Sequence, residues 1–114
     1  MKRILHFLVL ICLVLILATC NNAQDSLAWL DDMILNLEGE NGNSCIHEVR
    51  RYDYDGEYVY YFESECQDGI SVLYDKNGNE IGAIGGYVYV ESGVILDFQE
   101  NRTNPLIVWK KLHD

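Results

Sequence analysis

The chain has 114 residues, 49% of them apolar, with 18 acidic and 8 basic side chains and a formal net charge of −10. A surface this acidic repels polyanions, which argues against nucleic acid as a partner, and it repels anionic head groups as well, so membrane association has to come from something other than the protein face. The length allows a single domain whose core buries roughly 60% or a little more of the unfolded surface.

The chain opens with Lys2 and Arg3, continues through a mostly apolar run from Ile4 to Ala18, and reaches Leu17-Ala18-Thr19-Cys20. A basic start, a short apolar segment and small residues before a cleavage point predict a secretory signal over residues 1–19. The run is too short for the roughly 20 apolar residues of a membrane span and holds His6 within it. The closing tetrad resembles a lipobox, with Thr19 where Gly, Ala or Ser is usual. That resemblance implies a lipoprotein whose Cys20 carries a diacylglycerol, and a palmitate on its amine would add a third chain. Two or three acyl chains anchor stably where one binds marginally. Residues 20–24 are then a lipidated tether, and residues 25–114 a single domain displayed on a bacterial cell envelope, at the periplasmic face or the outer membrane. Loss of the leader removes two basic residues and no acid, leaving six against eighteen and a formal net charge of −12.

From Asp25 to Glu38 the apolar positions Leu27, Leu30, Met33, Ile34 and Leu37 recur at helical spacing. This predicts an amphipathic helix capped by Asp25 or Ser26 and stopped near Gly39, with Trp29 at the edge of the core. Beyond the loop at 40–44 everything reads as strand, with turns at Asp55-Gly56, Asn77-Gly78, Gly85-Gly86 and Ser92-Gly93 and a last apolar run, Leu106 to Trp109, after Pro105. The expected architecture is α+β: one N-terminal amphipathic helix packed on an antiparallel meander sheet of five or six strands.

With Cys12 in the leader and Cys20 lipidated, an oxidising compartment leaves Cys45 and Cys66 to pair. The first hairpin agrees. A two-residue type I′ turn at Asp55-Gly56 sets Tyr54 against Glu57, and counting outward sets Cys45 opposite Cys66 at a non-hydrogen-bonded position, Cα atoms about 4.5 Å apart. The same register sorts two faces. One carries His47, Val49, Arg51 and Asp53 with Tyr58, Tyr60 and Phe62. The other carries Glu48, Arg50, Tyr52 and Tyr54 with Glu57, Val59, Tyr61, Glu63 and Glu65; holding more acids, it is expected to face water. Glu48 opposite Glu63 is an unfavourable like-charge pair, which calls for a bulge or for a cation such as Arg50.

Chemistry-bearing motifs are few. No nucleophile with a poised base, phosphate loop or Cys-x-x-Cys pair stands in the sequence, and no cofactor is implied. Asp75-Lys76-Asn77-Gly78-Asn79 has the first oxygen spacings of a calcium loop, but Glu80 and Gly86 replace its required glycine and acid; a type I turn with Gly78 left-handed accounts for it better. His47 is a weak metal candidate with the carboxylates near it. The belt of tyrosines and acids is the candidate binding face, through Tyr52, Tyr54, Tyr61 and Glu63.

Tyr52-x-Tyr54-x-Gly56-x-x-Val59-Tyr60-Tyr61, followed by Cys66-x-Asp68, Leu73-Tyr74-Asp75-x-x-Gly78-Asn79-x-Ile81, Gly85-Gly86 and Asp97-Phe98, resembles a family of small uncharacterised lipoproteins of Gram-negative bacteria. Members often carry further cysteines after the Asn-Gly hairpin; here Gly82 and the Val94–Asp97 stretch contain none, so no second disulfide is expected. The resemblance implies no enzyme activity. The expectation is a non-catalytic envelope protein, held to the membrane by its lipid, that binds a protein, peptide or glycan. A weak metal-binding protein and a peptidase-inhibitor-like module are the alternatives.

Overall fold

The computed structural model describes residues 27–40, 43–86 and 90–112. The leader, Cys20, the tether and the capping positions Asp25 and Ser26 lie outside the described residues. Helix α1 (Ala28–Gly39) begins after Leu27, which makes no side-chain capping bond. Its hold comes from burial instead. Leu30 is enclosed, and Trp29, Met33, Ile34 and Leu37 pack with it against Val49, Tyr60 and Phe62 of the sheet. Among the described residues no helix is long and apolar enough to cross a membrane.

The sheet is six-stranded and antiparallel: β1 (Ile46–Tyr54), β2 (Glu57–Ser64), β3 (Ile70–Tyr74), β4 (Glu80–Gly85), β5 (Val90–Glu91) and β6 (Thr103–Lys110), in spatial order β5-β4-β3-β2-β1-β6. The first five form the expected meander. The sixth departs from it: the chain returns across the sheet through a second helix, α2 (Gly93–Asn101), and adds β6 beside β1.

That helix is the main correction to the sequence reading, which placed strands throughout and one helix only. Ser92, in extended backbone, precedes it, and the Ile95 N–H donates to Ser92 O at 3.1 Å. Ile95 and Phe98, one turn apart, are fully enclosed against Tyr52, Val59, Tyr61 and Leu73. The face expected to meet water is therefore the second core, and α1 and α2 cover opposite faces of one sheet. Gly82 makes the close approach possible, since a Cβ there would lie 3.0 Å from Ile95 Cγ1 and from Ser92 Oγ.

The first hairpin keeps its predicted register from Tyr54↔Glu57 out to Glu48↔Glu63. Asp55 and Gly56 both have positive φ, 52° and 78°, as a type I′ turn requires. Between Glu48 and Ile46 the register slips, and Ile46 pairs with Ser64. The disulfide Cys45–Cys66 forms nonetheless, with the Cα atoms 5.2 Å apart, wider than an unbroken ladder would set them. Glu65 N–H donates to Cys45 O at 2.8 Å beside it.

The β3–β4 turn is the predicted type I turn, with Gly78 at φ 86° and its N–H bonded to Asp75 O. Trp29 seals it: the indole Nε1–H donates to Lys76 O at 3.0 Å, and a Cβ at Gly78 would stand 2.7 Å from the ring. Asp75 organises the turn by accepting from the N–H groups of Asn77 and Asn79 and from Asn79 Nδ2. These bonds, that from the Asn79 backbone foremost, together hold its carboxyl below the ordinary 3.8 against the opposing effect of burial, which is second in size. A depressed native pKa means that the stabilisation is complete above the unfolded value and disappears as the pH falls through the native one. Asp75→Ala is expected to destabilise by about 1 kcal/mol at pH 7, the net worth of charge-assisted bonds discounted for exposure. Urea midpoints at pH 7 and pH 3 should show the gap to wild type closing at the lower pH; an equal gap at both would remove the carboxylate from the account.

Candidate functional site

Of the predicted binding face, Tyr52 and Tyr61 are only 5% and 8% exposed and belong to the core under α2. They present no contact surface. Burial is the main cause that pushes the Tyr61 hydroxyl above its ordinary pKa. Tyr54 sits at the rim of the same cluster and its hydroxyl donates to Asp97 of α2, a bond that pushes its pKa up to about 12. Rings of Tyr52, Tyr54 and Tyr61 all lie within 5.6 Å of Phe98, centroid to centroid. The tyrosines that sequence reasoning assigned to recognition thus hold α2 in place.

Glu63, the remaining member of that face, takes part in a different grouping. His47 is the residue at which the β1–β2 register slips, and the bulge aims its ring away from the α1 side, where an unbroken ladder would have put it. Its Nε2 lies 3.8 Å from Glu63 Oε2 and 3.9 Å from Glu48 Oε2. One ligand atom from each of His47, Glu48 and Glu63 falls within 4.8 Å of the other two. The Glu48 side chain is only 6% exposed, and its Oε1 accepts from Arg50 Nε. That bond, followed by one to Tyr52, raises the Arg50 pKa. The like-charge pair foreseen in the sequence stands in register, Glu48 opposite Glu63; Arg50 offsets it by its bond to Glu48, and the bulge falls one step beyond it, at His47. The His47 carbonyl accepts from Lys111 N–H at 2.8 Å, which pins the bulge to the end of β6, while the ring's Nδ1 is buried with no hydrogen-bond partner among the described residues.

Beside Leu27, just before α1, lies a groove of about 770 Å³ lined in part by Arg51, Asp53, Tyr58 and Lys76. Its charged groups already have partners: Arg51 lies 4.2 Å over the Tyr58 ring, Lys76 bonds Glu57 at 3.0 Å, and Asp53 accepts from Asn104 at 2.7 Å.

The feature that sequence reasoning passed over is the sheet edge. β6 is the terminal strand on its side, eight residues long, whereas β5 at the opposite edge has two. Leu106 and Ile107, opposite Arg51 and Arg50 on successive rungs, point to different faces and are 50% and 53% exposed. Protective devices on edge strands are proline, charge and bulges. Here Pro105 guards the beginning and Lys110 the end, and the pairing with β1 slips twice, at Val108 and between Thr103 and Leu106; Leu106 to Trp109 carry neither proline nor charge. The signal was present in the sequence as a stretch, Asn101 to His113, without a single acid in a chain that has 18.

Residues 36–111 match a protein family described as a domain of unknown function (DUF6970), a span that takes in the end of α1, the whole sheet and α2. No curated protein and no solved structure matches the chain.

Proposed function

We propose that this chain, which belongs to the family described as a domain of unknown function (DUF6970), is a lipid-anchored, non-catalytic module of a bacterial cell envelope that captures an extended segment of another protein as a strand beside β6. The observation that carries this reading is the outer edge of β6, unpaired among the described residues, with Leu106 and Ile107 half exposed. An edge strand offers a row of backbone donors and acceptors for affinity, and alternate side-chain positions for selectivity. Apolar residues at two neighbouring positions of the incoming segment would meet Leu106 on one face and Ile107 on the other.

Charge narrows the partner. A second processed copy of the chain brings another formal −12 and meets net repulsion, so a neutral or basic segment from a different protein is favoured. The leader read at residues 1–19 and a lipid on Cys20 would hold the edge at a membrane surface, where it meets envelope proteins at high local concentration.

The test is photo-cross-linking of the membrane-bound protein. A photoreactive side chain at Leu106 should trap a protein adduct, Ile107→Lys should reduce that adduct at least fivefold, and the same probe at Leu35 on the outer side of α1 should trap none. Cys20→Ser should move the protein out of the membrane fraction. Equal adducts from Leu106 and Leu35, or an adduct made only of a second copy, would reject the edge as the capture surface.

A further inference from the structure

We propose that His47, Glu48 and Glu63 form a binding site for a divalent transition-metal ion of the zinc class, separate from the strand-capture edge. The donor set combines an imidazole with two carboxylates, which suits zinc; magnesium and calcium prefer all-oxygen shells. A tetrahedral zinc shell with bonds of roughly 2.0–2.1 Å sets its ligand atoms about 3.3 Å apart. The present separations of 3.8 and 3.9 Å from His47 Nε2 need a contraction of about half an ångström, and the two carboxylates, within 4.8 Å of each other, one of up to about 1.5 Å. Glu63, 46% exposed at its side chain, has the freedom to supply it.

Three features build the site rather than merely collect charges. The bulge turns His47 toward two carboxylates that already face each other across the ladder, an arrangement that costs stability and that a dication between them would favour. Arg50 takes Oε1 of the buried Glu48 and leaves Oε2 directed at the imidazole. Lys111 fixes the backbone of the bulge through the His47 carbonyl. A fourth position remains for water.

The affinity has a built-in ceiling. When Nε2 binds the ion its proton has to reside on Nδ1, which is buried and has no acceptor. A buried donor left unsatisfied costs roughly tenfold to a hundredfold in binding. The dissociation constant for zinc is therefore expected on the order of 10 µM, well short of a structural zinc site.

Calorimetric titration of the full-length protein in detergent with zinc chloride tests this. About one equivalent should bind, weakened at least tenfold by His47→Gln and by Glu63→Gln and unchanged by His113→Gln. With copper(II) substituted, the paramagnetic resonance spectrum should show coupling to imidazole nitrogen that disappears in His47→Gln. Should His47→Gln lose its circular dichroism signature of folding, Glu63→Gln decides by the same titration. Wild-type zinc affinity in the folded variants, or nitrogen coupling that survives His47→Gln, overturns the site. Neither result depends on the β6 edge or on any partner protein.

Discussion

Replacing Cys45 and Cys66 together by alanine is expected to lower the stability of the domain by about 3 kcal/mol, because their bond closes a loop of sequence separation 21 and restricts the unfolded chain. A domain of this size has a total stability of roughly 5–15 kcal/mol, so the loss is a large share. The bond also terminates the β1–β2 hairpin where the ladder is weakest, next to the bulge that displaces Ile46 by one residue. Lys111 reinforces the same end by donating to Ser44 O and to Glu65, but an exposed ion pair contributes at most about 1 kcal/mol and does not substitute for the staple. Urea unfolding of the double variant, and of the wild type with and without reductant, should give coincident midpoints for the two unstapled forms. A shift below about 1 kcal/mol in both would mean that the hairpin end is held by other means.

Phe98→Ala is expected to cost about 4 kcal/mol, in the range for deletion of a fully enclosed aromatic ring. Phe98 is the centre of the second core: Tyr52 and Tyr54 meet it edge-on, Tyr61 at a tilt, and the Arg102 guanidinium lies 5.3 Å from its centroid. Removal of the ring leaves three tyrosines around a void and detaches α2 from the sheet, with the β6 connection following it. Phe98→Leu, which keeps most of the volume, should lose clearly less. Thermal unfolding of the two variants, read together with dye binding to exposed apolar surface, distinguishes a loosened helix from general unfolding. An effect below about 1 kcal/mol for the alanine variant would show that α2 does not close this face.

The hairpin was legible in the sequence because a two-residue Asp-Gly turn leaves no freedom in counting: the register from Tyr54↔Glu57 follows from geometry, and it brought Cys45 near Cys66 and Glu48 against Glu63. Helix α1 was legible from its apolar spacing. Helix α2 was not, since Val94-Ile95-Leu96 is a strand-forming run, and the helical signal rests on Ile95 and Phe98 alone over nine residues. Tertiary burial decided against local preference there.

The same override explains the misread tyrosines. Acids on the second face stand at the ends of the hairpin, at Glu48, Glu57 and Glu63, while Tyr52, Val59 and Tyr61 occupy its middle. Counting charges over the whole face conceals that gradient, and only the arrival of α2 reveals which part is enclosed. The orientation of His47 was equally out of reach. The like-charge pair suggested a bulge at its own rung, but Glu48 and Glu63 stay paired and the slip falls at His47, where Lys111 after β6 anchors the chain.

The two tryptophans, Trp29 and Trp109, both belong to the core beneath α1, whereas Phe98 and the tyrosines around it form the layer on the opposite side. Indole emission therefore watches one half of the molecule, whereas the tyrosine bands sum over both, Tyr60 and Tyr74 standing in the layer under α1 and Tyr52, Tyr54 and Tyr61 in the other. The protein carries a native optical probe for one side of the sheet, and a tyrosine change that departs from the indole change would report the opposite layer coming apart separately, without an attached label.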